Sequence, residues 1–187
     1  AGQHGNTQVP KLLGSLVRYL YTGHEPDGVA ARFFWDQVAR HHSFATGGHG
    51  RNEYFGEPGK LDAMVEGRTA ETCNVYNMIK MARLLFAVQR DAAYADFHER
   101  ALFNHILGSI DPADGRTCYM VPVGLGVTRE YQRMARDFTC CVGSGMESHA
   151  KSGESVWWRD DDGLILNLFI ASDLTWAERG ARVSLET

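Results

Sequence analysis

Apolar residues recur at helical spacing through most of the chain. The first such stretch runs from Asn6 to Tyr21, and its apolar positions are Val9, Leu12, Leu13, Leu16, Val17 and Leu20. Pro10 suits the first turn of a helix there. A second stretch, from about Val29 to His42, predicts a helix with these residues facing inward: Ala30, Phe33, Phe34 and Val38.

Two further helices are predicted before residue 110. One runs from about Glu71 to Gln89, with a buried face formed by Tyr76, Ile79, Ala82, Leu85 and Phe86. The other runs from about Ala93 to Leu107 and ends at Gly108. Between the second and third helices lies SFATGGHGRNEYFGEPGK, which is rich in turn-forming residues. It predicts a long loop, and long ordered loops in compact domains are often functional.

The pattern changes near the end of the chain. A short helix is predicted from Gly143 to Trp158, followed by a turn at RDDDG. LILNLFIASDLTW and ARVSLET then have the composition and alternation of strands. Helices first and strands last predict a mainly α fold, in which an all-helical domain precedes the start of a separate β domain.

Composition and charge exclude some function classes. The 187 residues are 44% apolar and 22% charged, and the net charge of −4 comes without a block of Lys or Arg. Binding to nucleic acid or to an anionic membrane surface is therefore not expected. Apolar runs are too short to predict a membrane span. The chain starts without Met and ends in what reads as mid-strand, so we expect a fragment and leave its compartment open.

The chain has four cysteines, and two of them, Cys140 and Cys141, are adjacent. Four cysteines do not make a disulfide scaffold at this length, and neighbouring cysteines rarely bond to each other. The simplest interpretation of a cysteine is a small buried apolar residue. We expect this for Cys118, within TCYMVPV, whereas a second interpretation is open for the other three cysteines.

Glu71 and Cys73 are positioned where a helix is predicted to begin. Within a helix, residues two apart face different sides. Where the first residue is not yet helical, both side chains can turn toward one point, which also faces the positive end of the helix dipole. Similarly, we expect a tight turn loosened by Gly143 and Gly145 to aim Cys140 and Cys141 at one ion.

Together these residues form a Cys₃Glu set, which suits Zn²⁺ in a tetrahedral site. The spacing does not match the standard zinc pattern of two CxxC pairs. By spacing alone, a metal site and a group of buried thiols remain equal alternatives.

Several segments resemble glycoside hydrolase family 127 and its relative family 146, the β-L-arabinofuranosidases. They are AETCNVYNMIKMARLLF, YADFHERALFNHILGSIDP and FTCCVGSGMESHAKSGESVWW, with HGNTQVPKLLG and the GRNEYF loop before them in the same order. The resemblance implies an (α/α)6 barrel followed by β-sandwich domains. Residues 1–158 would be the later part of the catalytic barrel, and residues 159–187 the start of a β-sandwich domain.

The resemblance also implies an unusual chemistry, a retaining glycosidase that uses a zinc-bound cysteine. Carried over by motif, Cys140 is the nucleophile and also a zinc ligand, and the remaining ligands are Glu71, Cys73 and Cys141. The acid/base is the Glu of the GxxExF loop, which is Glu53, and Glu57 in the same loop is the alternative. The substrate-binding residues implied by matching positions are His4, Glu99 and Tyr119.

The expected substrate is a small molecule or oligosaccharide with β-linked L-arabinofuranose, and the expected cofactor is Zn²⁺. Two alternatives stay open: a related hydrolase for another branched or acidic pectin sugar, and a non-catalytic helical module with a structural zinc site. A homodimer of the full-length protein is compatible with the resemblance. Pocket histidines that the family takes from earlier barrel helices are not part of this chain.

Overall fold

Helices dominate the first part of the chain and short strands the last. The computed structural model describes residues 1–133 and 135–187. The helices in this part are α1 (Gly5–Thr22), α2 (Glu25–Gln37), α3 (Thr72–Val88), α4 (Ala92–Ala101) and α5 (Cys140–Ala150). The strands are β1 (Trp157–Arg159), β2 (Leu164–Leu166), β3 (Ser172–Trp176) and β4 (Ala181–Leu185). The predicted order of helices and then strands is confirmed.

Helix α1 lies within one or two residues of its predicted bounds. It ends at Gly23, whose φ of 69° is left-handed and whose N–H donates to the carbonyl of Tyr19. Val9 and Leu16 are fully buried where α1 packs against α2 and α3. At its start, a Cβ on Gly5 would lie 2.5 Å from the Asn74 side chain, so glycine there allows α1 to approach α3 closely.

Helix α2 begins earlier than predicted and buries a different face. It is followed by one π-helical turn, Val38–His42. Ala30 is exposed and Phe33 is 66% exposed, so the predicted inward face is wrong at these positions. Trp35 is buried instead, and it packs edge-on against Tyr94 and Phe97 of α4. An aromatic core thus joins α2 to α4.

Helix α3 forms the centre of the helical part. All the residues predicted for its buried face are buried: Tyr76, Ile79, Ala82, Leu85 and Phe86. Its neighbours include α1 and α4. Helix α4 ends at Ala101, and a π-helical turn, Leu102–Ile106, and a 3₁₀ turn, Leu107–Ser109, continue it to the predicted end.

The structure corrects the last predicted helix. It spans Cys140–Ala150 rather than Gly143 to Trp158, so the two adjacent cysteines start the helix. Gly143 and Gly145 are inside it and do not loosen a turn. A Cβ on Gly145 would lie 2.5 Å from the Thr117 side chain, which explains glycine there as a packing requirement.

The chain divides into two compact units, residues 1–149 and 150–187. In the second unit, β1 pairs with β2 and β3 pairs with β4, both antiparallel. The domain assignment with a boundary at residue 158 stays a prediction. Among the described residues, no helix combines the length and apolar character needed to cross a membrane.

Three buried histidines predict a loss of stability in acid. Burial lowers the pKa of His49 to about 4, of His98 to about 4 and of His105 to about 3. Below the ordinary histidine pKa of 6.5, the unfolded chain binds protons that the folded chain does not. The contribution of these neutral histidines to the free energy of unfolding is therefore complete above about pH 6.5. It is lost as the pH falls toward their folded-state pKa values of about 3 to 4.

The variant His105→Asn isolates the contribution of His105, because the parent and the variant have the same metal ligands and carboxylates. We expect the parent's stability advantage over the variant to shrink by roughly 2 kcal/mol between about pH 7.5 and pH 4.5. Denaturant unfolding at several pH values measures it. A difference that did not change with pH would contradict the linkage.

Candidate functional site

Two helix N-termini converge on one point of the first unit. Glu71 is the N-cap of α3 and has extended backbone, with φ −64° and ψ 131°, while Cys73 is the second helical residue. The predicted geometry of a helix start is therefore confirmed for this pair. Cys140 and Cys141 are the first two residues of α5. Both helix dipoles favour negative charge at this point.

The four side chains form a tight cluster. Their ligand atoms, one from each of Glu71, Cys73, Cys140 and Cys141, all lie within 4.8 Å of one another. The Sγ atom of Cys141 is 3.2 Å from that of Cys73 and 3.9 Å from that of Cys140. Oε1 of Glu71 is 3.6 Å from the Cys140 sulfur and 3.8 Å from the Cys141 sulfur. These separations suit four ligands around one ion.

Burial distinguishes one member of the cluster from the others. Cys141 is fully buried, and Cys73 and Glu71 are 2% and 1% exposed. Cys140 is exposed. Three of the groups are thus buried, and the fourth, Cys140, is the exposed residue of the cluster.

The pKa values show that these groups resist simultaneous ionisation. Burial raises the pKa of Glu71 to about 8, and the charge of Cys73 adds to the shift. A hydrogen bond from Cys141 lowers the pKa of Cys73 to about 6. Burial raises the pKa of Cys140 to about 11. The pKa of Cys141 is also raised, mainly by its hydrogen bond with Cys73 and to a smaller extent by burial. At neutral pH the pKa of Cys73 favours its thiolate, and the raised pKa values of the other three groups favour their protonated forms unless a cation compensates their charge.

The residues present fit a metal ion. Glu71 Oε2 is buried and has no hydrogen-bond partner among the described residues. An unpaired buried carboxylate oxygen is costly, and a cation would satisfy it. Three sulfurs and a carboxylate oxygen are also the donors that a thiophilic divalent ion prefers. The cluster could therefore hold a metal ion.

A carboxyl group and a phenol lie close to Cys140. The Tyr119 hydroxyl donates to Glu53 Oε1 and is 3.7 Å from the sulfur of Cys140. His4 Nε2 is 3.1 Å from the other oxygen of Glu53. Burial and the bond to Glu53 raise the Tyr119 pKa, so the phenol keeps its proton. The structure thus brings together four of the residues predicted for the site: His4, Glu53, Tyr119 and Cys140.

An open cleft of about 720 Å³ begins at Glu53 and Tyr119. Its other walls include Arg68, Val127 and Tyr131, from the segments before α3 and before α5. This volume lies within the range of roughly 300–1,000 Å³ in which proteins bind small ligands. The carboxyl group of Glu53 is therefore accessible to a bound molecule.

The two remaining candidate carboxylates differ from Glu53. Glu57 is exposed and forms an ion pair with Lys60 at 3.2 Å, so it does not compete for the position beside the cluster. Glu99 lies half-buried on α4 and, among the described residues, takes part in none of the hydrogen bonds that join the other site residues. Its role in substrate binding stays a prediction.

Two residues that the sequence does not predict for the site support the cluster. Asn6 Nδ2 donates to Glu71 Oε1 at 3.2 Å, and Ser144 Oγ is 3.1 Å from the Cys73 sulfur. Ser144 follows Cys140 by one helical turn, so a helix predicted from Cys140 would have placed it there. The contact of Asn6 joins α1 to α3 and has no local sequence signal.

Comparison with known proteins identifies the family. A sequence model of the catalytic domain of the GH127 β-L-arabinofuranosidases matches residues 1–154. The chain belongs to this family. GH127 is a family of glycoside hydrolases. A search of curated proteins gives no match.

Solved structures of GH127 proteins have a similar fold. A GH127 β-L-arabinofuranosidase from Geobacillus stearothermophilus T6 shares 22% identity over 93% of this chain, with a TM-score of 0.77. The GH127 β-arabinofuranosidase BT3674 shares 23% over 93%, with a TM-score of 0.75. A protein described as a glycoside hydrolase shares 18% over the whole chain, with a TM-score of 0.82.

The GH127 chain spans 29%, 28% and 35% of the lengths of these three structures, in the order in which they are named above. At these identities the likeness establishes the fold. The chain is mainly α, and it forms part of an (α/α)6 barrel followed by the first strands of a β-sandwich domain. The fold implied by the resemblance is confirmed.

Proposed function

We propose that the protein is a zinc-dependent retaining glycoside hydrolase that releases β-linked L-arabinofuranose from plant-type glycans. One observation carries the proposal: the only exposed member of the described cluster, Cys140, faces the Tyr119–Glu53 pair. Glycoside hydrolysis requires a nucleophile close to an acid, and here the acid, Glu53, lines an open cleft.

Zinc is the metal that the donor set favours. Thiolates select soft or borderline ions, and Zn²⁺ is bound tetrahedrally by Cys and Glu in proteins. The ligands would be Glu71, Cys73, Cys140 and Cys141. A bound zinc ion supplies positive charge that keeps the thiols ionised at neutral pH.

Cys140 and Glu53 would divide the first half of the reaction between them. The Cys140 thiolate attacks the anomeric carbon of the arabinofuranosyl unit and forms a thioglycosidic bond. The bond to the leaving oxygen breaks at the same carbon, and Glu53 gives that oxygen its proton. Tyr119 and His4 hold the two oxygens of the Glu53 carboxyl group and so orient it.

Water completes the cycle from the same side. Glu53, now a carboxylate, takes a proton from a water molecule that attacks the anomeric carbon. The thioglycosidic bond breaks, Cys140 leaves as a thiolate, and Glu53 is protonated again. Two inversions at one carbon give net retention. The cleft that Glu53 lines, with a volume of about 720 Å³, would give room for the leaving group and for the water.

A panel of aryl glycosides tests the proposed substrate. The full-length protein should hydrolyse the β-L-arabinofuranoside and release β-L-arabinofuranose as the first product by NMR. Preference for an acidic or differently branched sugar would keep the mechanism and change the substrate. Hydrolysis of none of them, with metal bound, would favour a structural zinc site.

Metal content gives a separate prediction. We expect one zinc ion per chain by atomic emission, and its loss from Cys141→Ser, because that residue is fully buried within the ligand set. Cys118→Ala is the matched control, since Cys118 is buried outside the cluster. Metal-free protein with three freely titrating cluster thiols would contradict the zinc assignment.

A further inference from the structure

Glu53 lies in a tight hairpin turn. The turn spans Arg51 to Tyr54: the N–H of Arg51 donates to the carbonyl of Tyr54 at 3.0 Å, and the N–H of Tyr54 donates back at 2.9 Å. The two central residues, Asn52 and Glu53, have φ values of 47° and 72°. Positive φ at both central positions is characteristic of a type I′ turn.

Glutamate is an unusual residue at this position. Type I′ turns favour Asn followed by Gly, because a Cβ at positive φ crowds the following carbonyl. Asn52 matches that preference and Glu53 does not. Strained backbone persists only where the surroundings enforce it, and it is concentrated at functional sites. The strain therefore raises the question of which contacts hold Glu53 in place.

Asn52 and Arg68 supply those contacts on the outer side of the turn. The Asn52 N–H donates to the backbone carbonyl of Arg68 at 2.8 Å. In return, Arg68 Nε donates to Asn52 Oδ1 at 2.7 Å. A weaker bond joins Asn52 Nδ2 to Glu66 Oε1 at 3.4 Å. We call the reciprocal pair of bonds between Asn52 and Arg68 the turn clamp.

On the inner side, the turn is attached to the start of α1. The carbonyl of Glu53 accepts a bond from the N–H of Gly5 at 2.6 Å. The backbone of Glu53 is therefore held between α1 and the segment before α3. If the outer side were released, the backbone could relax toward negative φ and turn the carboxyl group away from Tyr119 and Cys140.

We propose that Asn52 and Arg68 are positioning residues that hold Glu53 in its strained turn and so aim the acid/base at the leaving group. The inference rests on the proposed role of Glu53. Displacement of a catalytic group by about 1 Å can cost roughly 100-fold in rate. Neither residue needs to contact the reacting atoms to have such an effect.

The test uses the full-length, zinc-loaded protein and aryl β-L-arabinofuranosides with graded leaving groups. Asn52→Gly and Arg68→Ala should lose roughly 10- to 100-fold in kcat/KM for poor leaving groups. For the best leaving groups, which need little acid assistance, the loss in Asn52→Gly should stay below about 3-fold. Because Arg68 also lines the cleft, the readout for Arg68→Ala is the ratio of its losses on poor and good leaving groups, which should be roughly 10-fold or more. Glycine accepts positive φ without strain, so Asn52→Gly should fold.

A conservative variant and a control separate positioning from general damage. Asn52→Asp keeps an oxygen acceptor for Arg68 and tolerates positive φ, so it should retain most of the parent's activity. Arg40→Ala is the control. It removes an exposed arginine of the π-helical turn after α2, whose partner is Asp36 of α2, and kcat/KM should be unchanged for both good and poor leaving groups.

The outcomes separate this inference from the proposed function. Suppose that the loss in kcat/KM of Glu53→Gln depends strongly on the leaving group, while the losses of Asn52→Gly and Arg68→Ala do not. The turn clamp then has no positioning role. Equal losses on good and poor leaving groups would likewise overturn it. If Glu53→Gln itself shows no such dependence, the acid/base assignment fails, and the inference fails with it.

Discussion

Replacing Cys140 with serine should abolish turnover of an aryl β-L-arabinofuranoside while zinc stays bound. A serine hydroxyl ionises far less readily than a thiol, so the attacking group is lost. Removing a nucleophile costs several orders of magnitude, and we expect a loss of at least about 1,000-fold in kcat. Zinc would be held by Glu71, Cys73 and Cys141, which form the buried base of the cluster.

The paired measurement is zinc content and kcat on the same preparation. Cys141→Ser should lose metal and stability together, because Cys141 is fully buried beside Cys73. The two adjacent cysteines thus give different results. Near-normal turnover in Cys140→Ser would remove the nucleophile assignment.

Replacing Glu53 with glutamine should slow the reaction in proportion to the difficulty of the leaving group. For poor leaving groups we expect a loss of roughly 100- to 10,000-fold in kcat/KM, the usual range for general acid catalysis. Hydrogen bonds to Tyr119 and His4 can persist with an amide, so fold and metal content should not change.

Glu57→Gln is the matched control for this variant. It changes an exposed carboxylate of the same loop, whose partner is Lys60, and we expect activity close to that of the parent. If Glu57→Gln reproduced the leaving-group dependence and Glu53→Gln did not, the two assignments would have to be exchanged.

The site was predictable where its geometry is local. Glu71 and Cys73 could be placed together because a helix N-cap has extended backbone, and the structure has that geometry. For Cys140 and Cys141 the sequence predicts the same cluster, but the expected cause, a turn loosened by glycine, is wrong. They converge because α5 begins at Cys140, and Gly145 serves the packing of α5 against Thr117.

Long-range packing explains what the sequence could not predict. The apolar spacing of α2 is compatible with more than one inward face, and the contacts of Trp35 with α4 select the one observed. The same limit applies to the strained turn at Glu53. Its enforcing contacts come from Arg68 and Gly5, which lie 15 and 48 residues away in the sequence (68 minus 53, and 53 minus 5).

Mapping a covalent intermediate tests the central claim most directly. The Glu53→Gln variant lacks the base for the second step, so a substrate with a good leaving group should glycosylate the enzyme faster than water releases it. Peptide mass spectrometry after acid quenching should then find one pentosyl unit on Cys140. No adduct while the first equivalent of aryl alcohol is still released in a burst, or an adduct on another residue, would contradict a cysteine nucleophile at this position.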